Sequence, residues 1–232
     1  MQNEIITYVE MCRRENLSLQ RGMNFRPSGK HYSIILMSQT PNAPYTDVVE
    51  DDGRTLIYQG HDVPRGAATP NPKECDQPQF LPSGKPTENG KFKNAADEFK
   101  LEARTPERVR VYEKLRDGIW SYNGVFHLVD AWTEREGRRL VFKFRLLLLD
   151  EEDEYSPRPS QEENIPHVRL IPPHVKQEVF KRDGGKCVIC SEKDHLHFDH
   201  IIPYSKGGSS MTAANVQLLC SRHNLQKHDR IE

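Results

Sequence analysis

Alternating hydrophobic and polar positions dominate the first 150 residues of the chain. Segments with a period of two recur at HYSIILMS, RTLIYQG, VRVYEK, GVFHLVDAW and RRLVFKFRLLLL. This period is typical of β-strands, and the loops between them, notably from Arg65 to Asn94, are rich in Gly, Pro and Asn. The pattern predicts a curved β-sheet or barrel. Ile5, Val9 and Cys12 lie at helical spacing and predict one short helix near the start.

The pattern changes near residue 150. The segment DEEDEYSPRPSQEENIPHVRLIPP is acidic, contains five prolines and has almost no apolar periodicity, which is typical of a linker. A helix is predicted from Pro173 to Arg182, ended by Gly184 and Gly185. We therefore predict an α+β protein with two domains, residues 1–152 and 173–232, joined by a linker over residues 153–172.

Four potential zinc ligands stand in two close pairs in the second domain. They are Cys187-x2-Cys190 and, after 29 residues, Cys220-x2-His223. Zinc binds thiolates and imidazoles tetrahedrally, and two short hooks are how small domains present four such ligands. The spacing predicts a structural zinc site. A purely structural zinc ribbon would account for these four residues, but it would leave Asp199, His200, Asn215 and Asn224 unexplained.

The residues between the two hooks predict a small ββα unit. Leu196 to Ile202 alternates and ends at Pro203, VQLLC after Asn215 is the expected partner strand, and SRHNLQKHD is the expected helix. With FDHIIP, then Asn215, then CSRHN, the segment resembles the ββα-metal unit of HNH nucleases. The resemblance covers about sixty residues.

Phosphodiester hydrolysis needs a deprotonated water, a neutralised phosphate and a stabilised leaving oxygen. A histidine can act as general base near neutral pH, and carboxylate and amide oxygens can hold a hard divalent cation. The HNH resemblance implies that His200 is the base and that Asp199 and Asn224 bind Mg²⁺ or Mn²⁺. It also implies that Asn215 orients the histidine. Lys206, Arg222 and Lys227 are candidate phosphate contacts.

The first domain carries a second resemblance. HYSIIL, PYTDVVEDDGRTLIYQG, ECDQ, VRVYEKLRDGIWSYNGVFHLVDAW and VFKFRLLL follow one another in the order found in the SRA domain, a fold that binds modified cytosine by turning it out of the DNA helix. The resemblance implies that Tyr45 and Tyr58 sandwich the flipped base and that Asp47 reads it. Asp51 is the alternative reader. Taken singly, the tyrosines could be ordinary strand residues and Asp47 a turn former.

Composition narrows the classes of protein. The chain has 232 residues, 33 Lys and Arg against 34 Asp and Glu, and a net charge of −1. A nearly neutral net charge is unusual for a protein that binds DNA only through phosphates, so affinity should depend on local basic loops and on a more specific contact. Five cysteines without a signal peptide favour a metal site in a reducing compartment over disulfides. We expect a soluble, cytoplasmic protein with no membrane segment.

Joined in one chain, the two resemblances imply a modification-dependent restriction endonuclease. Its expected partner is double-stranded DNA containing 5-methylcytosine or 5-hydroxymethylcytosine. We expect a homodimer, because one HNH site cuts one strand at a time. The alternatives are a reader of modified DNA without catalysis, an HNH nuclease indifferent to modification, and a reader of another mark such as methyladenine.

Overall fold

The computed structural model describes residues 2–39, 43, 45–50, 53–66, 71–149, 170–203 and 206–227. Strands and helices both contribute to it, so the predicted α+β class is confirmed. The strands are β1 (Glu4–Thr7), β2 (Met23–Asn24), β3 (Ser33–Met37), β4 (Val48–Val49), β5 (Thr55–Gln59), β6 (Glu107–Arg116), β7 (Ile119–Glu136), β8 (Arg139–Leu148), β9 (Leu196–His200) and β10 (Val216–Cys220). The helices are α1 (Tyr8–Glu15), α2 (Glu88–Lys100), α3 (Pro173–Arg182) and α4 (Ser221–Lys227).

The strands form one hydrogen-bonded sheet in the order β10-β9-β1-β7-β6-β3-β2, and a branch from β7 continues through β8 and β5 to β4. All pairs are antiparallel except β3 with β6. The register of β7 shifts between Leu128 and Asp130 against β8, and the register of β6 shifts between Val111 and Tyr112 against β7. Such bulges increase the local bend of a strand, which allows β7 to join both branches.

The core of the first part follows from alternation along the strands. In β8, Phe142, Phe144, Leu146 and Leu148 are buried, while Leu147 is exposed. Helix α2 lies over this face and adds Phe92, whose ring meets Phe144 edge to face with centroids 5.8 Å apart. The five alternating segments of the sequence all lie in strands, so that expectation is confirmed.

Two local expectations were wrong. The loop expected to extend to Asn94 ends at Thr87, whose hydroxyl accepts a hydrogen bond from Gly90 N and caps helix α2. Ile5 is in strand β1 and not in the first helix, which begins at Tyr8 after the Thr7–Glu10 capping box. In both places the apolar pattern is weak, and the capping residues decide where the helix begins.

Strand β1 joins the amino- and carboxyl-terminal parts of the molecule. It pairs with β7 on one side and with β9 on the other, where Glu4 lies opposite His197. The core of the carboxyl-terminal part is shared across this junction. It contains Leu115, Ile171, Val175, Val179, Leu196, Phe198, Val216, Leu218 and Leu219, with Ile5, Ile119 and Phe180 packed against them.

A buried polar cluster reinforces the junction. Lys176 on α3 places its Nζ 3.1 Å from Glu113 Oε2 on β6 and 2.6 Å from Asn123 Oδ1 on β7. The Lys176 and Glu113 side chains have no exposed surface. A charge buried so completely needs its partner, so this pair fixes helix α3 against the sheet.

The predicted linker lies mostly outside the described residues. Its last residues, Leu170, Ile171 and Pro172, are buried. Leu170 packs in the core of the amino-terminal part and Ile171 in that of the carboxyl-terminal part. The chain therefore crosses directly from one core to the other before α3 begins. None of the described helices has the length and apolar character needed to cross a membrane.

Candidate functional sites

A cavity of about 460 Å³ lies at the end of strand β5 and brings together the three residues expected to read a base. Tyr45 precedes β4, Asp47 adjoins it, and Tyr58 lies in β5. The cavity is lined by Tyr8, Leu19, Gln20, Arg21, Gly22, Leu36, Ser38, Tyr45, Asp47, Tyr58, His61 and Trp120. A volume of this order is typical of a small-molecule or nucleobase site. Asp51 lies outside the described residues.

Asp47 is a buried carboxyl group held by backbone donors. Gln59 N donates to its Oδ1 at 3.0 Å and Ser38 N to its Oδ2 at 3.4 Å. Burial raises the pKa of Asp47 to about 7, and the two backbone hydrogen bonds and Lys143 oppose that rise. Each carboxylate oxygen has a further lone pair, so Asp47 can still accept a hydrogen bond from a ligand in the cavity.

The two tyrosines have different surroundings. Tyr58 is only 1% exposed and is part of the core, and its hydroxyl lies 3.1 Å from His61 Nε2. Tyr45 is partly exposed, and its hydroxyl accepts a hydrogen bond from Asp62 N at 3.2 Å. The Tyr45 ring stacks on His61, with centroids 5.2 Å apart and planes 12° apart. Sequence analysis did not select His61.

The four expected zinc ligands converge. The ligand atoms of Cys187, Cys190, Cys220 and His223 all lie within 4.8 Å of one another. Cys190 Sγ and Cys220 Sγ are 3.8 Å apart, which is the separation expected for two sulfurs about 2.3 Å from one tetrahedral zinc. His223 Nδ1 lies 3.4 Å from Cys187 Sγ and 3.3 Å from Cys220 Sγ. The cluster therefore fits a structural metal such as zinc.

Local hydrogen bonds favour the thiolate that a metal needs. Burial would raise the pKa of the Cys187 thiol, but hydrogen bonds from the backbone of Cys220, Cys190 and Ile189 lower it to about 6. Strand β10 supplies Cys220, helix α4 supplies His223, and the turn after α3 supplies the first two cysteines. The cluster thus ties together the elements of the ββα unit.

Asp199 and His200 end strand β9, and their side chains meet different partners. His200 Nε2 lies 2.8 Å from Ser210 Oγ, in the loop between β9 and β10. Asp199 Oδ2 lies 2.8 Å from Lys227 Nζ on α4 and 3.4 Å from Gln217 Nε2 on β10. Burial lowers the pKa of His200, although Asp199 opposes that shift. The ring is therefore neutral near pH 7 and able to accept a proton.

Asn215 fixes the loop that carries Ser210. Its Nδ2 donates to the carbonyls of Ile202 and Ser209, each at 3.0 Å, and its Oδ1 accepts from Ile202 N at 2.9 Å. Gly208 passes so close that an added Cβ would lie 1.8 Å from Ile202 O. Asn215 thus holds the backbone around the His200–Ser210 pair.

Lys227 is not available as a phosphate contact, because it is 1% exposed and its Nζ is hydrogen-bonded to His200 O and paired with Asp199. Sequence analysis also missed Ser210 and Gln217. The hairpin register places Gln217 opposite Asp199 and could have indicated it. Nothing in the sequence distinguishes Ser210 from the other serine beside it.

One part of the chain is similar to a known protein family. Residues 187–230 match the family model described as HNH endonuclease. No curated protein gave a significant match.

Solved structures of SRA proteins are among those to which this chain shows similarity. The SUVH5 SRA domain in complex with hemimethylated CG DNA is 23% identical, covers 68% of this chain and 88% of that chain, and has a TM-score of 0.43. The SUVH5 SRA domain bound to fully hydroxymethylated CG DNA is 23% identical, with coverage of 62% and 85% and a TM-score of 0.43. Arabidopsis thaliana SUVH6 in complex with SAM is 21% identical, with coverage of 76% and 28% and a TM-score of 0.40.

The match to the HNH family model covers the segment that contains the ββα unit. That segment includes the four clustered Cys and His residues that could hold a structural metal, together with Asp199 and His200. The carboxyl-terminal segment of the chain, residues 187–230, is therefore similar to HNH endonucleases in both sequence and local geometry.

Proposed function

We propose that this protein is a modification-dependent restriction endonuclease that flips a modified cytosine into the Tyr45–Asp47–Tyr58 cavity and cuts the DNA with its HNH segment. The observation that carries the proposal is that a buried carboxyl group and aromatic rings share one cavity in the sheet that also contains strand β9 of the HNH segment. The order of the SRA-like segments in the sequence supports the assignment of the cavity to a base.

Asp47 and the tyrosines supply the recognition. An extruded base loses its stacking neighbours, and aromatic side chains can replace them at about 1–3 kcal/mol per base. A carboxylate accepts a hydrogen bond from the exocyclic amino group of cytosine, whereas thymine presents a carbonyl oxygen at that position. Asp47 therefore selects cytosine over thymine. The 5-methyl or 5-hydroxymethyl group contributes a separate contact with the cavity wall.

Hydrolysis of the phosphodiester bond is assigned to four residues, His200, Asp199, Asn215 and Asn224. His200, neutral and held by Ser210, accepts a proton from the attacking water. Asp199 and Asn224 would hold Mg²⁺ or Mn²⁺, and Lys227 and Gln217 both contact the Oδ2 atom of Asp199. When bound, such a cation neutralises the scissile phosphate and stabilises the leaving oxygen. Asn215 orients His200 through the loop backbone.

Selectivity favours action as a homodimer. One methyl group in a pocket lets a protein discriminate modified from unmodified cytosine by about 10- to 200-fold. That ratio is too small to keep an unmodified host genome from being cut. When both pockets of a dimer hold a modified base, the discrimination becomes that ratio multiplied by itself. A dimer also brings two hydrolytic sites to the two strands. The unpaired cysteines, three of them in the metal cluster, support a reducing location such as the cytoplasm.

The proposal is tested with His200→Ala and Asp47→Asn on duplexes with and without 5-methylcytosine, in Mg²⁺ and in Mn²⁺. We expect His200→Ala to lower the cutting rate by about 10²-fold or more while binding is unchanged. Asp47→Asn should abolish the preference for modified DNA in binding and in cutting. Ser210→Ala should lower the cutting rate by about tenfold without affecting binding, because it removes only the partner that orients His200.

The same measurements separate the alternatives. Absence of cutting in both metals, with binding retained, would indicate a reader without catalysis. Equal cutting of modified and unmodified DNA would indicate a non-selective nuclease. Ser209→Ala is the matched control for Ser210→Ala, because Ser209 Oγ accepts from Met211 N and does not contact His200.

A further inference from the structure

His61 is the residue of the base cavity that the proposed function leaves without a role. Its imidazole stacks on Tyr45 at 5.2 Å and its Nε2 lies 3.1 Å from the Tyr58 hydroxyl. A single ring thus contacts both of the tyrosines that are assigned to the flipped base. Burial lowers the pKa of His61 to about 4, so this ring is neutral at pH 7, as a nucleobase is.

The backbone of His61 is fixed by buried side chains. Asn89, 2% exposed, accepts from His61 N at 2.8 Å with its Oδ1 and donates to His61 O at 2.8 Å with its Nδ2. Gln77 Nε2 donates to Gly60 O at 2.6 Å and to Asp62 Oδ1 at 2.9 Å. These bonds hold the residues on both sides of His61, so rotation of its side chain can move the imidazole while the backbone stays in place.

The imidazole of His61 also lies close to the backbone of Gly22, which has no side chain. A Cβ added at Gly22 would lie 2.6 Å from His61 Nε2 and 2.8 Å from the Tyr58 hydroxyl. The other known contact of the Tyr45 ring is Lys73, whose Nζ lies 4.3 Å from the ring centroid and 2.9 Å from Asp62 Oδ2. A base that stacks on Tyr45 must therefore replace His61 or break the Lys73–Asp62 pair. Replacing a neutral ring by a neutral ring breaks no ion pair.

We propose that the His61 imidazole is a resident plug, which stacks on Tyr45 and hydrogen-bonds Tyr58 in the free protein and is displaced when the flipped base enters. The inference rests on the proposed base-flipping function. Displacement of the plug costs the complex one aromatic stack and one hydrogen bond. That cost is the same for every base, so the plug lowers affinity and leaves the choice of base to Asp47.

The test measures binding of a duplex with one central 5-methylcytosine by fluorescence anisotropy, with every variant in a His200→Ala background so that no cutting occurs. We expect His61→Ala to bind about two- to tenfold more tightly, the range expected when one aromatic stack no longer has to be broken. His61→Gln, which keeps a polar group near Tyr58 but has no ring, should also bind more tightly. His61→Phe keeps an aromatic ring that can stack on Tyr45, so it should not bind the duplex more tightly.

His31→Ala is the matched control, since His31 is an exposed histidine of the same domain and does not line the cavity. Thermal melting and zinc content establish that each variant is folded. A second readout is the NMR signal of the His61 imidazole, which should shift when methylated DNA is added to the protein that carries only His200→Ala.

Weaker binding by His61→Ala, with loss of the preference for methylated DNA, would show that His61 contacts the base and would overturn the plug. Unchanged affinity in folded His61→Ala and His61→Gln would overturn it as well. If the His200→Ala protein itself fails to prefer methylated DNA, the proposed function fails and the plug fails with it. The control protein therefore separates failure of the plug alone from failure of the proposed function.

Discussion

Asp47 shows at the scale of one residue how the fold changes the chemistry of a common side chain. The sequence identifies an aspartate in a segment that resembles a base reader, but it does not show whether the carboxyl group is buried. The structure makes it 6% exposed, with a backbone N–H on each oxygen. Loss of solvation raises the pKa of Asp47 to about 7, so the carboxyl group changes between its protonated and ionised forms near physiological pH.

This shift predicts a pH dependence of stability. In the unfolded chain Asp47 ionises at about pH 3.9, whereas in the folded protein it keeps its proton until about pH 7. Between these values the folded state holds more protons, so rising pH favours unfolding. Relative to Asp47→Asn, the wild-type free energy of unfolding should fall between about pH 4 and 7, by up to about 1.4 kcal/mol per pH unit, and be level above pH 7.

Urea unfolding of both proteins at matched pH values measures this difference. Other groups titrate in both proteins, so their contributions cancel in the comparison. The prediction fails if the two free energies of unfolding run parallel from about pH 4 to 8.

At the scale of elements, helix α3 and strand β1 are the pieces that join the two parts of the molecule. The sequence predicted α3 with its correct bounds, because Pro173 opens it and the two glycines after Asp183 end it. It gave no indication that Lys176 of this helix is buried. Lysine is almost never fully buried without a partner, and the partners Glu113 and Asn123 lie more than fifty residues earlier in the chain.

Removing the lysine should therefore be costly. We expect Lys176→Ala to lower the free energy of unfolding by about 3–5 kcal/mol, because it leaves Glu113 as an uncompensated buried charge. Lys181→Ala, on the exposed side of the same helix, should change it by less than about 0.5 kcal/mol. Urea unfolding followed by tryptophan fluorescence measures both variants.

A double variant, Lys176→Met with Glu113→Leu, should recover most of the loss, since it removes both charges together. The interpretation would be wrong if Lys176→Ala were as mild as Lys181→Ala. It would also be wrong if the double variant were no more stable than Lys176→Ala.

At the scale of the whole molecule, the HNH-like segment is built onto the sheet that carries the Tyr45–Asp47–Tyr58 cavity. The sheet runs without a break from β10 through β9 and β1 to β7, and the buried core beside it is shared. The sequence predicted a linker between the two parts and said nothing of how they contact each other. In the structure they meet through hydrogen bonds, apolar packing and the Lys176–Glu113 pair.

Rigid docking predicts a defined cutting distance. On duplexes with one 5-methylcytosine, cuts should cluster at one distance from the mark, because among the described residues the sheet runs without a break from the cavity side to strand β9, which ends at His200. Mapping the ends of the products by sequencing measures this distance. Cuts spread evenly over a full turn of DNA would contradict the docked arrangement.

Duplexes with two marks test the proposed dimer in the same assay. We expect faster cutting of both strands when two marks are present at a suitable spacing, because each subunit then fills its pocket. Equal rates with one and two marks would contradict the dimer but leave the single-mark distance untouched.

The sequence by itself determined the local elements and the chemistry that depends on short spacing. The two Cys/His pairs define the cluster that could hold a structural metal, the alternating segments define the strands, and the ββα unit follows from its turns and its Pro203 stop. These features rest on contacts between residues close in the chain or on a period that one segment displays alone.

Only the tertiary structure decided which residues surround these elements. Four contacts depend on packing that no local pattern of the sequence specifies. They are the contacts of His61 with Tyr45, Ser210 with His200, Lys227 with Asp199, and β9 with β1. Burial, which sets the pKa of Asp47 and the charge state of His61, likewise arises only when the whole core has formed.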